Sequence, residues 1–179
     1  DIIPQDGDAY TNTKSFTTPA GVYTVTLALP SGWSFANISC TPPNDTLADL
    51  AMGQIVVTAA GGSNITCTFV VQRNGELVAG KYNDQNHNHS RDRDDEWLKD
   101  WQMQLYNGLS GQITKQTTNR EGRTVFSNLR PGAYTICENM VAGWFNITPG
   151  VLDPAFNQPC YTVTVNPGTA VWTRFGNST

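Results

Sequence analysis

The densest run of reactive side chains is "YNDQNHNHSRDRDDEW", residues 82–97. Carboxylates at Asp84, Asp92, Asp94, Asp95 and Glu96 are mixed there with the amides of Asn86 and Asn88, two imidazoles, and the guanidiniums of Arg91 and Arg93. Calcium takes six to eight hard oxygens, and side chains at alternate positions of a tight loop converge on one centre. Calcium binding is therefore the first chemistry to expect. The alternative is a metal-free loop held by pairing of its aspartates with Arg91 and Arg93. Two sharper readings fail on their own requirements. His87-Asn88-His89 spells a nuclease motif, but that motif needs further parts spread over a ββα-metal unit, and the chain holds only two histidines. Zinc on His87 and His89 would have to complete its shell from carboxylates.

Strands must position this loop. Charged residues make up 15% of the 179, below the usual quarter, while Thr, Asn, Gly and Val abound. That composition favours short strands joined by turns over helices. A net charge of -4 offers no basic surface for nucleic acid. No apolar run is long enough to cross a bilayer and no signal peptide opens the chain, whose termini read as those of an excised fragment. The length leaves room for one large or two small domains.

Two stretches repeat. "GVYTVTLALPSGW" (21–33) lies over "GAYTICENMVAGW" (132–144), and "VTAAGGSNITCTF" (57–69) over "VTVNPGTAVWTRF" (163–175), with Gly, Tyr, Thr, Gly-Trp and the final Phe at matched spacing. Two homologous β units in tandem follow, residues 1–74 and 77–179, with a boundary near "QRNGELV" (72–78), where Asn-Gly marks a turn between strands. Period-two alternation sets Tyr23, Val25 and Leu27 on one face, and Tyr134, Ile136 and Glu138 on the equivalent face. Strands are expected near 13–18, 22–29, 33–40, 54–60 and 64–71, then near 78–84, 101–107, 112–118, 123–127, 133–140, 159–165 and 170–176. Short strands with Gly, Pro and Asn turns make a β-sandwich. The matched Gly-Trp pairs read as core or turn packing rather than a sugar-stacking platform.

Cys40, Cys67, Cys137 and Cys160 contain no CxxC pair, so zinc and thioredoxin-type sites are disfavoured. An even number in such a chain suits disulfides and an oxidising compartment. Of three possible pairings, Cys40–Cys67 with Cys137–Cys160 keeps each bridge inside one unit and is expected; four buried thiols are the alternative. Asn-x-Ser/Thr sequons stand at Asn37, Asn44, Asn64, Asn88, Asn146 and Asn177.

In the second unit, "GKYNDQNHNHSRDRDDEWLKDWQMQLY", "TTNREGRTVFSNLRPGAYTICENMVAGW" and a closing "FGN" resemble the SdrD B-like and Cna B-type repeats of bacterial surface proteins. The first unit resembles the same superfamily more loosely, through "PAGVYTVTLALPSGW" and "ITCTF". The resemblance implies an all-β chain of two tandem prealbumin-like Greek-key β-sandwiches. It also implies a calcium loop of the form D-x-N-x-[ND]-G-x-x-D-x-x-E. Framed on Leu98 and Trp101, that pattern places Asp84 at position 1, Asn86 at 3, Asn88 at 5, the Ser90 carbonyl at 7, Asp92 at 9 and Asp95 at 12. His89 replaces the usual glycine at position 6, and Asp95 the usual glutamate, with Glu96 beside it. Some Cna B-type relatives join a lysine of the first strand to an asparagine near the last, with a glutamate between; Lys81, Asn177 and Glu138 hold those places. The plainer alternative has Glu138 bonding backbone amides, Lys81 snorkelling to solvent and Asn177 capping a chain end. The first unit has Leu27 and Val71 where the glutamate and asparagine would fall.

The function these features imply is a spacer or stalk module of a cell-surface or secreted protein, stiffened by disulfides and calcium, with neighbouring domains of the same protein as partners. A carbohydrate- or host-protein-binding module using Trp97, Trp101 or Trp172 is the alternative. An enzyme is disfavoured, since no Ser/His/Asp order or Gly-rich phosphate loop occurs.

Overall fold

A computed structural model describes residues 13–43, 47–107 and 111–179; the sequon at Asn44 lies outside them. The described residues form fourteen strands and no helix. By their contacts they divide into two compact units, Asp1–Ala28 with Phe35–Val70, and Leu29–Ser34 with Val71–Thr179. The Gly-Trp stretch at 29–34 thus counts with the second unit, although it was read as part of the first. Within that unit the Gly32 carbonyl accepts from Asn74 N–H at 2.7 Å, and Arg73 covers the Trp33 ring.

The first unit holds β1 (Gly21–Thr26), most of β2 (Trp33–Thr41), β3 (Leu47–Asp49), β4 (Gln54–Ala59) and most of β5 (Thr66–Arg73), in the sheets β1-β4-β3 and β2-β5. Along β1 the pattern alternates, with Tyr23 and Val25 turned inward and Val22, Thr24 and Thr26 outward, but Leu27, expected on the inward face, lies past the strand's end and is exposed. The core is small: Ile38, Ile55 and Val57 are buried, and Tyr23, Val25, Phe35 and Phe69 pack around them. A core this size gains from covalent closure, and the Cys40–Cys67 disulfide joins β2 to β5.

The second unit holds β6 (Gly75–Asn83), β7 (Gln102–Asn107), β8 (Gly111–Thr117), β9 (Arg123–Leu129), β10 (Gly132–Glu138), β11 (Phe145–Thr148), β12 (Leu152–Asp153), β13 (Gln158–Val165) and β14 (Ala170–Ser178). One sheet runs β12-β13-β10-β7-β8 and the other β11-β14-β6-β9. Leu77, Ala79, Phe126 and Phe175 from one sheet meet Met103, Leu105, Tyr134, Ile136 and Val165 from the other in a single core. That is a β-sandwich. Its first and last strands, β6 and β14, are parallel neighbours, with Lys81 opposite Phe175 and Asn177 opposite Asn83. The disulfide Cys137–Cys160 bridges residues directly opposite on β10 and β13.

The repetition read from the sequence is carried into register. Gly21 faces Ala59 and Tyr23 faces Val57 on β1 and β4; Gly132 faces Val165 and Tyr134 faces Val163 on β10 and β13. In both units the tyrosine hydroxyl donates four residues back, Tyr23 to the Pro19 carbonyl and Tyr134 to the Arg130 carbonyl, each at 2.8 Å.

Three expectations need correction. Residues 13–18 are not a strand. The Asn74-Gly75 step makes no hairpin, since β6 pairs with β14 and β9 rather than with β5. Glycine is needed there for space: a Cβ at Gly75 would lie 2.6 Å from Val165. The short strands β3, β11 and β12 were missed, because two to four residues are too few to display a period.

Candidate functional site

Three polar side chains sit where apolar rows would otherwise continue. Leu77 and Ala79 on β6 face the core, and Lys81 is next in that row; Tyr134 and Ile136 on β10 lead to Glu138; Phe175 on β14 leads to Asn177. All three are fully buried. Among the described residues Lys81 is buried rather than snorkelling, Glu138 pairs with the side chains of Lys81 and Asn146 rather than with backbone amides, and Asn177 lies inside a strand, which is not the plainer arrangement. The strands put these groups together because their pleats share one face, and a single-residue slip would send each to the other side. Gly122 helps to seat Lys81. Its φ is +65° and its Cβ position lies 2.6 Å from the Lys81 carbonyl, which accepts no closer neighbour than a glycine.

Lys81 Nζ lies 2.5 Å from Glu138 Oε2 and 4.3 Å from the centroid of the Trp101 ring. Burial lowers the lysine to about 8 against the pull of Glu138, and burial likewise raises Glu138 against Lys81, Asn146 and Asn177. Taking two ions out of water costs several kcal/mol each, incompletely offset by their attraction, so a pair like this is poor cement for a core. Both shifts favour passing the proton from amine to carboxylate, which leaves a neutral amine beside a carboxylic acid.

Asn177 completes the group. Its Oδ1 accepts from Asn146 Nδ2 at 3.2 Å, while its own Nδ2 is buried and makes no hydrogen bond of good geometry. Asn146, on β11 directly opposite Asn177, also donates to Glu138 Oε1 at 2.7 Å. Sequence reading missed this role and marked Asn146 only as a sequon. The signal was a polar residue spaced eight positions after Glu138 behind Gly-Trp, and no short-strand pattern singled it out.

The loop at 84–95 folds upon itself. Asp84, buried, accepts N–H bonds from Asn88 and His89 at 3.2 and 3.0 Å; Asp95 accepts from Gln85 and Asp92 at 3.2 and 2.7 Å. The Nδ2 groups of Asn86 and Asn88 converge on Asp92 Oδ2 at 2.8 and 2.7 Å, which lowers the Asp92 pKa. Asn88 Oδ1 accepts from Ser90 N–H at 2.9 Å. His89 adopts φ +64°, the left-handed turn that a calcium loop needs at its sixth position. Positions 3, 5 and 9 meet at Asp92 Oδ2 through the amide N–H groups of Asn86 and Asn88. The oxygens are occupied by the loop's own N–H groups, and among the described residues no group of three or more acidic, His or Cys side chains has a metal-holding arrangement. Arg91 donates to the Asp95 carbonyl and lies over Trp97, in place of the carboxylate pairing expected of it. The loop is tied down by His87 to Ser178 Oγ, by His89 to the Ile147 carbonyl, and by Asp84 N–H to the Asn177 carbonyl, each at 2.8 Å.

Of the tryptophans considered for ligand stacking, Trp101 is core, edge-on to the half-buried Trp144 of the second Gly-Trp pair. Trp97 is half-buried between Arg91 and Arg123, and only Trp172 is exposed.

Residues 4–73 match the family described as a prealbumin-like fold domain. No curated protein matches the chain. Similar solved structures include GBS52, the minor pilin of the Gram-positive pathogen Streptococcus agalactiae, at 14% identity and TM-score 0.44, covering 71% of this chain and 64% of that one. The Bacillus anthracis TIE protein is similar at 16% identity and TM-score 0.42 over 88% of this chain and 34% of that one. The shaft pilin SpaA of Lactobacillus rhamnosus GG is similar at 14% identity and TM-score 0.41 over 58% and 49%. The chain thus spans less than two thirds of each of these structures. The likenesses are distant, and the fold rests on strand order, shared core and the match over 4–73. No helix among the described residues is long and apolar enough to cross a membrane.

Proposed function

We propose that the chain is a load-bearing spacer of an extracellular, cell-surface or secreted protein, whose second unit closes itself with an amide between Lys81 and Asn177. The observation that carries this is the burial of Lys81, Glu138 and Asn177 at the ends of three core-facing rows, with the first and last strands parallel neighbours. Glu138 takes a proton from Lys81, and the neutral Nζ attacks Asn177 Cγ. The Cγ–Nζ bond forms, Glu138 passes its proton to the departing Nδ2 and takes the second proton from Nζ, the Cγ–Nδ2 bond breaks, and ammonia leaves with Glu138 protonated. Amine and primary amide become secondary amide and ammonia, so atoms and protons balance. The groups react once, and the chain turns over no substrate.

Parallel pairing makes the bond mechanically useful. Tension enters at the start of β6 and leaves at the end of β14, so it shears the whole ladder at once, and the amide lies across that ladder. The exposed Trp172 alone does not make the aromatic row that a carbohydrate platform requires. Calcium in the loop would be held by Asp84, Asn86, Asn88, the Ser90 carbonyl, Asp92 and Asp95, where it would neutralise clustered carboxylates and anchor the β6 exit against β11 and β14.

Pulling on single molecules under reducing conditions tests the proposal. A released unit of about 100 residues lengthens by about 30 nm at roughly 3.3–3.6 Å per residue. The Asn177→Ala variant should show that step and the wild-type chain should not. A wild-type step of the same length would refute the load-bearing bond.

A further inference from the structure

We propose that Asn146 is the oxyanion donor of this crosslink, its Nδ2 holding the carbonyl oxygen that becomes negative when Lys81 attacks; the inference rests on the crosslink reading. Asn146 faces Asn177 across the β11–β14 pair. Its amide orientation is set, because Oδ1 accepts from Gly150 N–H at 2.7 Å and so Nδ2 must point to the acceptors. Those acceptors are Glu138 Oε1 at 2.7 Å, the Thr148 carbonyl at 2.9 Å and Asn177 Oδ1 at 3.2 Å.

Two N–H groups thus serve three oxygens, and the longest contact is the one to the reacting amide. Charge grows on Asn177 Oδ1 as the Nζ–Cγ bond forms, while the Thr148 carbonyl stays neutral. The shared donor is drawn toward Asn177 in the transition state and not before. An interaction that strengthens only there lowers the barrier. The same nitrogen fixes Glu138 Oε1, which leaves Oε2 aimed at Lys81. On the other side of the electrophile, Asn177 Nδ2 makes no hydrogen bond of good geometry, and its interaction with Glu138 sets it beside the proton it takes when it departs as ammonia. One asparagine therefore orients the proton carrier and polarises the target, and the sequon reading of Asn146 gives way to an inward role.

The test follows the loss of about 17 Da, the mass of ammonia released by amide exchange, in intact full-length chain after cell-free synthesis under oxidising conditions. Wild type is compared with Asn146→Ala and with the near-isosteric Asn146→Asp, which keeps the shape and lacks the donor. Both disulfides and a wild-type circular dichroism spectrum certify folding; if the alanine variant lacks them, the aspartate variant gives the reading. The expected result is a rate about 10²-fold slower in the folded variants, the usual effect of losing one such donor. A rate within about threefold of wild type in a folded variant would overturn the inference and leave the crosslink standing. A purely structural Asn146 would instead lower the melting temperature of the finished product with the rate unchanged. Wild-type chain that never loses the mass would sink the crosslink reading itself, a separately visible outcome.

Discussion

Replacing Asn177 by alanine removes the electrophile while leaving the Lys81–Glu138 pair in place. The amide it would have formed closes a loop of about 100 residues, and closure on that scale is worth about 4.7 kcal/mol through the entropy of the unfolded chain. Strain and residual structure reduce such figures, so a loss of about 4 kcal/mol is a fair expectation. For a unit of about 100 residues each kcal/mol moves the midpoint by roughly 4 °C, which puts the fall near 15 °C. Trimming the side chain alone would cost about 1 kcal/mol and move it by only a few degrees. Calorimetry on wild type, Asn177→Ala, Lys81→Met and the double variant separates the two. Either single change abolishes the whole bond, so the second adds far less than the sum of the separate losses. A drop of only a few degrees, or losses that simply add, would refute the reasoning.

Bond formation should follow a bell-shaped pH profile, since the reactive state carries one proton on the Lys81–Glu138 pair: the alkaline limb falls where Lys81, lowered to about 8, gives up that proton, and the acid limb where the raised Glu138 takes a second. A rate climbing steadily to pH 10 would count against it. In Asn177→Ala, which cannot close, stability should rise between about pH 8 and 10, because only the unfolded chain still binds a proton on Lys81 there; urea titrations across that range check the sign. Millimolar calcium should raise the midpoint by several degrees and chelator should lower it, ligand at 100 times its Kd being worth about 2.7 kcal/mol; coincident melting curves would remove the metal. Gly122→Ala should cost about 1–3 kcal/mol and delay the mass loss, because a left-handed residue acquires a Cβ against the Lys81 carbonyl; an unchanged urea midpoint would show that the Lys81 strand adjusts freely.

Much of the fold was legible because its long strands bury one face. Tyr23 and Val25, or Tyr134 and Ile136, declare their period within five residues, and the matched spacing of Gly, Tyr and Gly-Trp carried the repeat into the same register in both units. The same parity rule placed Glu138 on a core face, whereas Lys81 and Asn177 were singled out by the family resemblance. Other features were out of reach. Residues 13–18 read as a strand from composition yet are assigned to none, since a strand exists only when a neighbouring strand takes up its ladder of hydrogen bonds. The role of Asn146 depends on β11, four residues long with a bulge between Asn146 and Thr148, so no periodicity announces it. The charged loop shows the opposite limit. Its spacing suggested calcium ligands, with ion pairs to Arg91 and Arg93 as the alternative, whereas the chain satisfies its carboxylates with its own N–H groups, a choice made by backbone turns at His87 and His89.

The most direct test of the crosslink is the intact mass of the purified wild-type chain, with tandem fragmentation of its peptides. The mass should fall short of the sequence by about 17 Da beyond the hydrogens lost to the two disulfides, and a branched peptide should join Lys81 to Asn177. A chain at full mass, with separate linear peptides carrying an unmodified Lys81 and Asn177, would contradict the account.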